Sequence, residues 1–165
     1  MTPPQPEPCT AGQESVWDYP RPAICQPNHR HLLIRHQGAL IAETREGFRT
    51  VETSHPPTYY FPLSAVATAL LKPNRRRSFC EWKGEAVYFD LVMEGQRVPD
   101  VAWSYPQPTA PFAAIAGHFA FYPAPFDTVL VDGEPVRPQP GGFYGGWITP
   151  DIAGPFKGVP GSRWW

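Results

Sequence analysis

Apolar and polar positions alternate along most of the chain in short runs, which is the period of half-buried β-strands. Residues 48–53 show this alternation, and dipeptides typical of turns, such as Gln37-Gly38 and Asp132-Gly133, separate neighbouring runs. The pattern therefore predicts hairpins joined by tight turns. The predicted strands cover residues 31–36, 39–44, 48–53, 58–62, 78–82, 85–93, 96–103 and 126–131.

Helices are predicted in few places because the chain contains 23 prolines, which interrupt both helices and sheet ladders. Residues 64–71 favour a helix, since Ser64 can cap its start and Lys72-Pro73 ends it. Residues 112–121 fit either a helix or a bent strand, because alanines precede a glycine and aromatic residues. The expected fold class is mainly β, with antiparallel strands and one or two short helices.

Three zones divide the chain. Residues 1–28 form a Pro-rich N-terminal arm whose first dozen residues we expect to be disordered, residues 29–137 form the core domain, and residues 138–165 form a tail rich in Gly, Pro and aromatic residues. The tail aromatics would expose a large apolar area if they were free, so we expect them to be covered. They pack either on their own core, giving a monomer, or on a second subunit, giving a homodimer.

Composition and charge narrow the function classes. The formal net charge is −1, and the only basic run, Arg75-Arg76-Arg77, is typical of a solvated turn, so we expect no nucleic-acid partner. No stretch approaches the roughly 20 apolar residues of a membrane span, so we expect no membrane partner. The N-terminus lacks the pattern of a secretory signal, which predicts a cytoplasmic location and free thiols for Cys9, Cys25 and Cys80.

Several segments together resemble a bacterial family, domain-of-unknown-function family 427. The resemblance covers most of residues 30–135, and the tail resembles a cyanobacterial subgroup in residues 141–150. The segments that carry it are Ile41-Ala42-Glu43-Thr44, residues 51–62, Cys80-Glu81-Trp82-Lys83-Gly84-Glu85-Ala86-Val87-Tyr88, Ala102-Trp103-Ser104-Tyr105-Pro106 and Ala120-Phe121-Tyr122-Pro123.

The resemblance implies a β-tent (Mss4-like) fold of two antiparallel sheets, similar to methionine sulfoxide reductase B and the cereblon ligand-binding domain. Many such tents hold zinc with two Cys-x-x-Cys pairs, which this sequence lacks, so we expect no metal and no cofactor. The family has also been labelled nucleotidyltransferase, but the sequence has neither a Gly-rich phosphate loop nor an Asp-x-Asp pair. Kinship of fold alone does not assign an activity.

Aromatic density within these segments points to a small-ligand pocket, because Trp and Tyr join a large apolar face to a polar tip. In this hypothesis the aromatic rings form the walls, Lys83 or Arg45 pairs with an anionic group, and His55 makes one hydrogen bond to an unidentified small molecule. The alternative is a core filled with aromatic side chains. The predicted ligand-binding residues are Arg45, Glu52, His55, Tyr60, Trp82, Lys83, Trp103, Tyr105 and His118.

Two other functions stay open at this level. Cys80 could act as a nucleophile or redox thiol beside Lys83, with His55 or His118 as its base, or it could be a buried cysteine that packs like a small apolar residue. Alternatively, the protein is a structural or partner-binding module that acts through the arm and the tail. The sequence alone does not decide whether any reaction is catalysed.

Overall fold

A computed structural model describes residues 2–165, and strands dominate it. Four short 3-10 turns accompany the strands, at Val16–Asp18, Leu63–Ala65, Thr68–Leu70 and Ala110–Ile115. The strands are β1 (Glu14–Ser15), β2 (Ile24–Asn28), β3 (Leu32–His36), β4 (Ala39–Thr44), β5 (Gly47–Val51), β6 (Thr58–Tyr60), β7 (Leu71–Cys80), β8 (Gly84–Met93), β9 (Gln96–Ser104), β10 (Phe119–Phe121), β11 (Thr128–Val131), β12 (Glu134–Pro135), β13 (Arg137–Pro138), β14 (Trp147–Ile148) and β15 (Ile152–Ala153).

Most of these strands belong to three antiparallel sheets. Strands β7 to β10 form a meander in sequence order, β12-β11-β3-β4 form a second sheet, and β2-β5-β6 form a third. A bridge between Phe61 and Phe119 connects the end of β6 to β10. Two small ladders complete the structure, the parallel pair β1-β15 and the antiparallel pair β13-β14. The predicted mainly β class is confirmed, with the strands spread over three larger sheets instead of two.

The hairpins form where the turn dipeptides predict them. Gln37-Gly38, Glu94-Gly95 and Asp132-Gly133 each place two successive residues at positive φ, between 48° and 79°. This is the conformation of a two-residue type I′ turn, whose twist matches that of the flanking strands. The turns therefore set the pairing of β3 with β4, β8 with β9 and β11 with β12.

The expected helix at residues 64–71 is absent, and two separate 3-10 turns stand in its place. Val66 is extended, it bridges Ala42, and the neighbouring Ala67 N–H donates to the Ile41 carbonyl at 2.8 Å. Ser64 makes no capping hydrogen bond, and Leu71 already begins β7. Pairing with the β4 strand thus replaces the helical hydrogen bonds that the alanine-rich sequence favours.

The ambiguous segment at residues 112–121 contains both kinds of structure. Residues Ala110–Ile115 form a 3-10 helix, Gly117 takes a φ of 71°, and Phe119–Phe121 then enter the sheet as β10. Positive φ is accessible to glycine at low cost, which allows the sharp change of direction.

The basic run lies within strand β7 and not in a turn between strands. The β7-β8 register shifts between Pro73 and Arg77, so the intervening residues bulge out of the ladder. Asn74 within the bulge donates to the carboxylates of Asp90 and Asp100, at 2.6 and 2.7 Å. Arg75 is exposed, in keeping with the solvated character expected of this run.

Alternation along the strands of the meander and along β6 separates two groups of buried side chains. Tyr59 and Phe61 face the main core, whereas Tyr60 between them faces a second cluster. The second cluster is rich in aromatic residues and contains Ala23, Tyr60, Ala86, Tyr88, Trp103, Tyr105, Phe112, Ile115 and Ala120. The aromatic segments of the sequence thus contribute to both sides of these strands, and the second cluster borders a cavity.

Arm and tail residues pack against each other and against the core. Trp147 is 0% exposed, and its indole N–H donates to the Phe121 carbonyl at 2.9 Å. The Trp17 indole N–H donates to the Pro155 carbonyl at 2.9 Å. Strand β2, within the zone assigned to the arm, pairs with β5 over five residues. Association with a second copy stays a prediction. No helix in residues 2–165 is long and apolar enough to cross a membrane.

Candidate functional site

A cavity of about 450 Å³ lies beside the second aromatic cluster. Its walls come from the loop between β5 and β6, the β7-β8 hairpin, the end of β9 and the tail. The lining residues are Ala23, Thr50, Glu52, His55, Pro56, Thr58, Tyr60, Ser78, Phe79, Cys80, Glu81, Trp82, Lys83, Tyr88, Trp103, Tyr105, Tyr122, Gln139, Phe143, Tyr144, Gly145 and Lys157.

Aromatic rings form much of the cavity wall. Trp103 lies near the end of β9 and Tyr105 directly follows the strand, and both side chains belong to the second cluster because they stand two positions apart in extended backbone. Trp103 packs on Tyr122 with ring centroids 4.7 Å apart, and Tyr60 packs on Tyr105 at 6.5 Å. Burial raises the pKa of the Tyr60 and Tyr105 hydroxyls above the usual range, so both are neutral near pH 7.

Lys83 supplies a positive charge at the hairpin end of the cavity. Lys83 is the last residue of the turn that joins β7 to β8, and its ammonium lies 3.7 Å from the Cys80 sulfur. The ammonium is also 5.6 Å from the centre of the Phe112 ring and 6.0 Å from that of Tyr105. Within residues 2–165, no carboxylate lies within salt-bridge distance of Lys83.

His55 lies in the loop between β5 and β6, far in sequence from this hairpin, but it lines the same cavity. Its Nδ1 is 3.0 Å from Nε2 of Gln139, and its Nε2 is 3.8 Å from a carboxylate oxygen of Glu52. Burial, together with the positive charges of Lys157, Lys83 and Arg21, lowers the pKa of His55 to about 3. The imidazole is therefore neutral in the folded protein near pH 7.

The tail closes one side of the cavity. A Cβ placed on Gly145 would lie 2.0 Å from Cη2 of Trp103, so only glycine permits this close approach to the indole. The adjacent Tyr144 packs edge-on against His55 at 4.8 Å, and the Tyr122 hydroxyl donates to the Phe143 carbonyl at 3.0 Å. The tail thus contacts side chains from two other walls.

Eight of the residues that the sequence marks as candidates line this cavity, although they span more than 50 positions. They are Glu52, His55, Tyr60, Cys80, Trp82, Lys83, Trp103 and Tyr105. The three polar groups of the ligand-binding hypothesis, an ammonium, an imidazole and a carboxylate, are therefore brought together with the aromatic walls.

Arg45 and His118 lie elsewhere. Arg45 is exposed in the turn between β4 and β5, where its charge acts on the Asp132 carboxylate. His118 precedes β10 and packs edge-on against Phe48 at 5.6 Å. Arg45 therefore cannot pair with an anion in the cavity, and His118 is not placed to act as a base for Cys80.

Other lining residues were not selected from the sequence. Tyr88 and Ser78 share the cavity face by strand alternation, and their hydroxyls are 2.7 Å apart. Periodicity could have identified these two. Gln139 and Lys157 stand in a tail without periodicity, so only the fold shows that they reach the cavity.

No group of three or more His, Cys, Asp and Glu side chains in the described part of the chain could hold a metal ion. The cysteines at positions 9, 25 and 80 are free thiols. Burial raises the pKa of the Cys25 thiol, which disfavours its thiolate form.

The chain matches a known protein family. A family model described as Domain of unknown function (DUF427) matches residues 24–132, about two thirds of the chain. No curated protein matches the chain significantly. The matched range includes His55, Lys83 and Trp103, whereas the cavity wall formed by Gln139, residues 143–145 and Lys157 lies beyond it.

Proposed function

The chain belongs to the family described as Domain of unknown function (DUF427), and we propose that its cavity binds a small aromatic molecule carrying an anionic group. The observation that supports this most directly is the Lys83 ammonium, which faces an aromatic-walled cavity without a carboxylate partner among residues 2–165. A charge in such a setting is stabilised when a ligand supplies its counter-ion.

The dimensions and surface of the cavity fit a small ring system. Its volume of about 450 Å³ lies within the range of small-molecule sites, roughly 300–1,000 Å³. Trp103, Tyr105 and Tyr60 line the cavity, and aromatic side chains make stacked or edge-on contacts with a planar ring. An aliphatic molecule of the same size would lose these directional contacts.

The charges favour an anion over a cation. Glu52 is the acidic residue nearest His55, and it lies 3.9 Å from the Arg21 guanidinium, so its charge is already partly compensated. Lys157 donates to the main-chain oxygen of Trp165 at 3.1 Å. Of these two lysines at the cavity wall, Lys83 is therefore the one whose positive charge is less compensated by a neighbouring oxygen.

Calorimetric titration with three matched probes tests this proposal. The probes are 1-naphthoate, its neutral amide 1-naphthamide, and cyclohexanecarboxylate, which separate the contribution of the ring from that of the charge. We expect saturable binding of 1-naphthoate that weakens about tenfold, equivalent to about 1.4 kcal/mol, in Lys83→Met. Lys72→Met removes an exposed lysine of β7 as the matched control and should bind as the wild type does.

Trp103→Ala should abolish binding of the aromatic probes, with circular dichroism checking that the fold is retained. Binding that is equally strong in Trp103→Ala, or the absence of saturable binding to any of the three probes, would rule the proposal out.

A second candidate function, chemistry at Cys80, is favoured by the 3.7 Å distance between its sulfur and the Lys83 ammonium. A nearby cation stabilises a thiolate, which is the nucleophilic form of cysteine. Cys80 is half-buried and lines the cavity, so a bound molecule can reach it.

Alkylation by iodoacetamide at neutral pH, mapped by mass spectrometry in a Cys9→Ser background, tests this candidate. If Lys83 activates Cys80, Lys83→Met slows its alkylation about tenfold whereas Lys72→Met does not. A Cys80 that reacts only after denaturation would be structural, and enzymatic use of the thiol would then be excluded.

A further inference from the structure

Gln139 is buried at 3% exposure, and its side-chain amide contacts three separate segments around the cavity. Its Oε1 accepts from the Gly146 N–H at 3.1 Å, and its Nε2 donates to the Lys157 carbonyl at 2.9 Å. A main-chain N–H can only donate and a main-chain carbonyl can only accept. These two partners therefore determine which end of the Gln139 amide is oxygen and which is nitrogen.

The same amide determines the protonation of His55. Because Nε2 of Gln139 is a donor, the His55 Nδ1 at 3.0 Å must accept and cannot carry a proton. A neutral imidazole then carries its proton on Nε2. We propose that Gln139 is a positioning residue, which holds His55 as a donor through Nε2–H at the cavity wall so that the ligand must present an acceptor there.

The acceptor that fits is a neutral one. Within the described residues, Nε2 of His55 has no hydrogen-bond partner, and the nearest carboxylate oxygen, on Glu52, is 3.8 Å away. A second anionic group of the ligand beside Nε2 would be repelled by Glu52. A carbonyl oxygen or a ring nitrogen would accept from Nε2–H without this repulsion. This inference rests on the proposed function, and it narrows the ligand to an aromatic anion with a neutral acceptor on its ring.

The charged groups around His55 belong to several segments. Glu52 stands in the same loop, Lys83 in the β7-β8 hairpin, Arg21 in the arm and Lys157 in the tail, while Tyr144 packs on the ring face. The three cations oppose an imidazolium and Glu52 favours one. Gln139 also disfavours the imidazolium, because protonation of Nδ1 would place its N–H against an N–H of the Gln139 amide.

Nitrogen-15 NMR of histidine-labelled protein without any ligand tests the positioning role. We expect the His55 Nδ1 to show the shift of an unprotonated nitrogen and Nε2 that of a protonated one, from pH 5 to pH 8. In Gln139→Glu the carboxylate can accept from Nδ1, so we expect Nδ1 to become protonated. Gln96→Glu makes the same charge change at an exposed position and should leave His55 unchanged.

A protonated Nδ1 in the wild type would overturn the proposal, and this outcome does not depend on whether Gln139→Glu folds. The acceptor is tested with quinoline and isoquinoline carboxylates, in which a ring nitrogen replaces one CH of naphthoate. At least one isomer should bind about fivefold more tightly than 1-naphthoate, and Gln139→Leu should remove that advantage.

Failure of the two proposals can be told apart. If 1-naphthoate does not bind while Nδ1 is unprotonated, the proposed function fails and the positioning of His55 stands. If 1-naphthoate binds but no ring-nitrogen isomer binds more tightly, the neutral acceptor is refuted and the aromatic anion stands.

Discussion

His55 makes the stability of the protein depend on pH in a direction that the structure determines. Burial and the charges of Lys157, Lys83 and Arg21 lower its pKa to about 3 in the folded state, whereas the ordinary pKa of a histidine in an unfolded chain is 6.5. Between these values the unfolded chain binds a proton that the folded protein excludes. Stability is therefore lost as the pH falls from 6.5 toward 3, and His55 has little effect on it above this window.

The magnitude follows from the two pKa values. Each pH unit inside the window costs at most about 1.4 kcal/mol, which is the free energy of one pKa unit. Integrated from pH 7 to pH 5, the loss assigned to His55 is about 2 kcal/mol, because the unfolded imidazole is only partly protonated at the start. This is a large fraction of the stability of a domain of this size.

Urea unfolding of the wild type and of His55→Asn at pH 7, 6 and 5 measures how much His55 contributes to the pH dependence of the unfolding free energy. The asparagine side chain offers Gln139 an acceptor oxygen but does not titrate. The contributions of all other titrating groups are shared, so they cancel when the unfolding free energies of the two proteins are subtracted. As the pH falls from 7 to 5, we expect the unfolding free energy of the wild type to decrease by about 2 kcal/mol more than that of His55→Asn. His29→Asn, at an exposed position, controls for loss of a histidine. Parallel stability curves for wild type and His55→Asn would refute the reasoning.

Three further predictions concern packing and strain. Gly145→Ala places a methyl group within 2.0 Å of the Trp103 ring, so it should cost about 2 kcal/mol in urea unfolding and weaken 1-naphthoate binding; unchanged binding would contradict the assigned tail wall. Trp147→Phe removes the buried hydrogen bond from the indole N–H to the Phe121 carbonyl and should lower the unfolding free energy by about 2–3 kcal/mol. A change smaller than the fitting error would contradict this prediction. Ser54 has a φ of 73° and a buried hydroxyl without a hydrogen-bond partner, so Ser54→Gly should stabilise the protein by about 1 kcal/mol; a lower melting temperature would show the opposite.

Local patterns determined the strands and turns because both depend on neighbouring residues. A positive φ at Gly38, Gly95 and Gly133 follows from the type I′ turns that such dipeptides favour. Once a turn is set, the two-residue period decides which side chains share a face, so the grouping of Trp103 with Tyr105 could be predicted from their spacing alone.

Residues 64–71 show where local pattern is insufficient. Their alanines favour a helix, but pairing of Val66 with Ala42 satisfies the backbone in an extended form. This partner is more than 20 positions away, and intrinsic propensities of less than 1 kcal/mol per residue are readily outweighed by tertiary contacts.

The chemistry of the cavity divides in the same way. Residue types, together with the family resemblance of the segments that contain them, were enough to single out Lys83, His55 and the aromatic rings as candidates, since these side chains carry the charge, the hydrogen bond and the apolar surface that a ligand site needs. Only the tertiary structure decided that Arg45 and His118 lie outside the cavity and that Gln139 and Lys157 line it. Gln139 stands 84 positions from His55, and a tail without periodicity carries no local signal of the side chain it will meet.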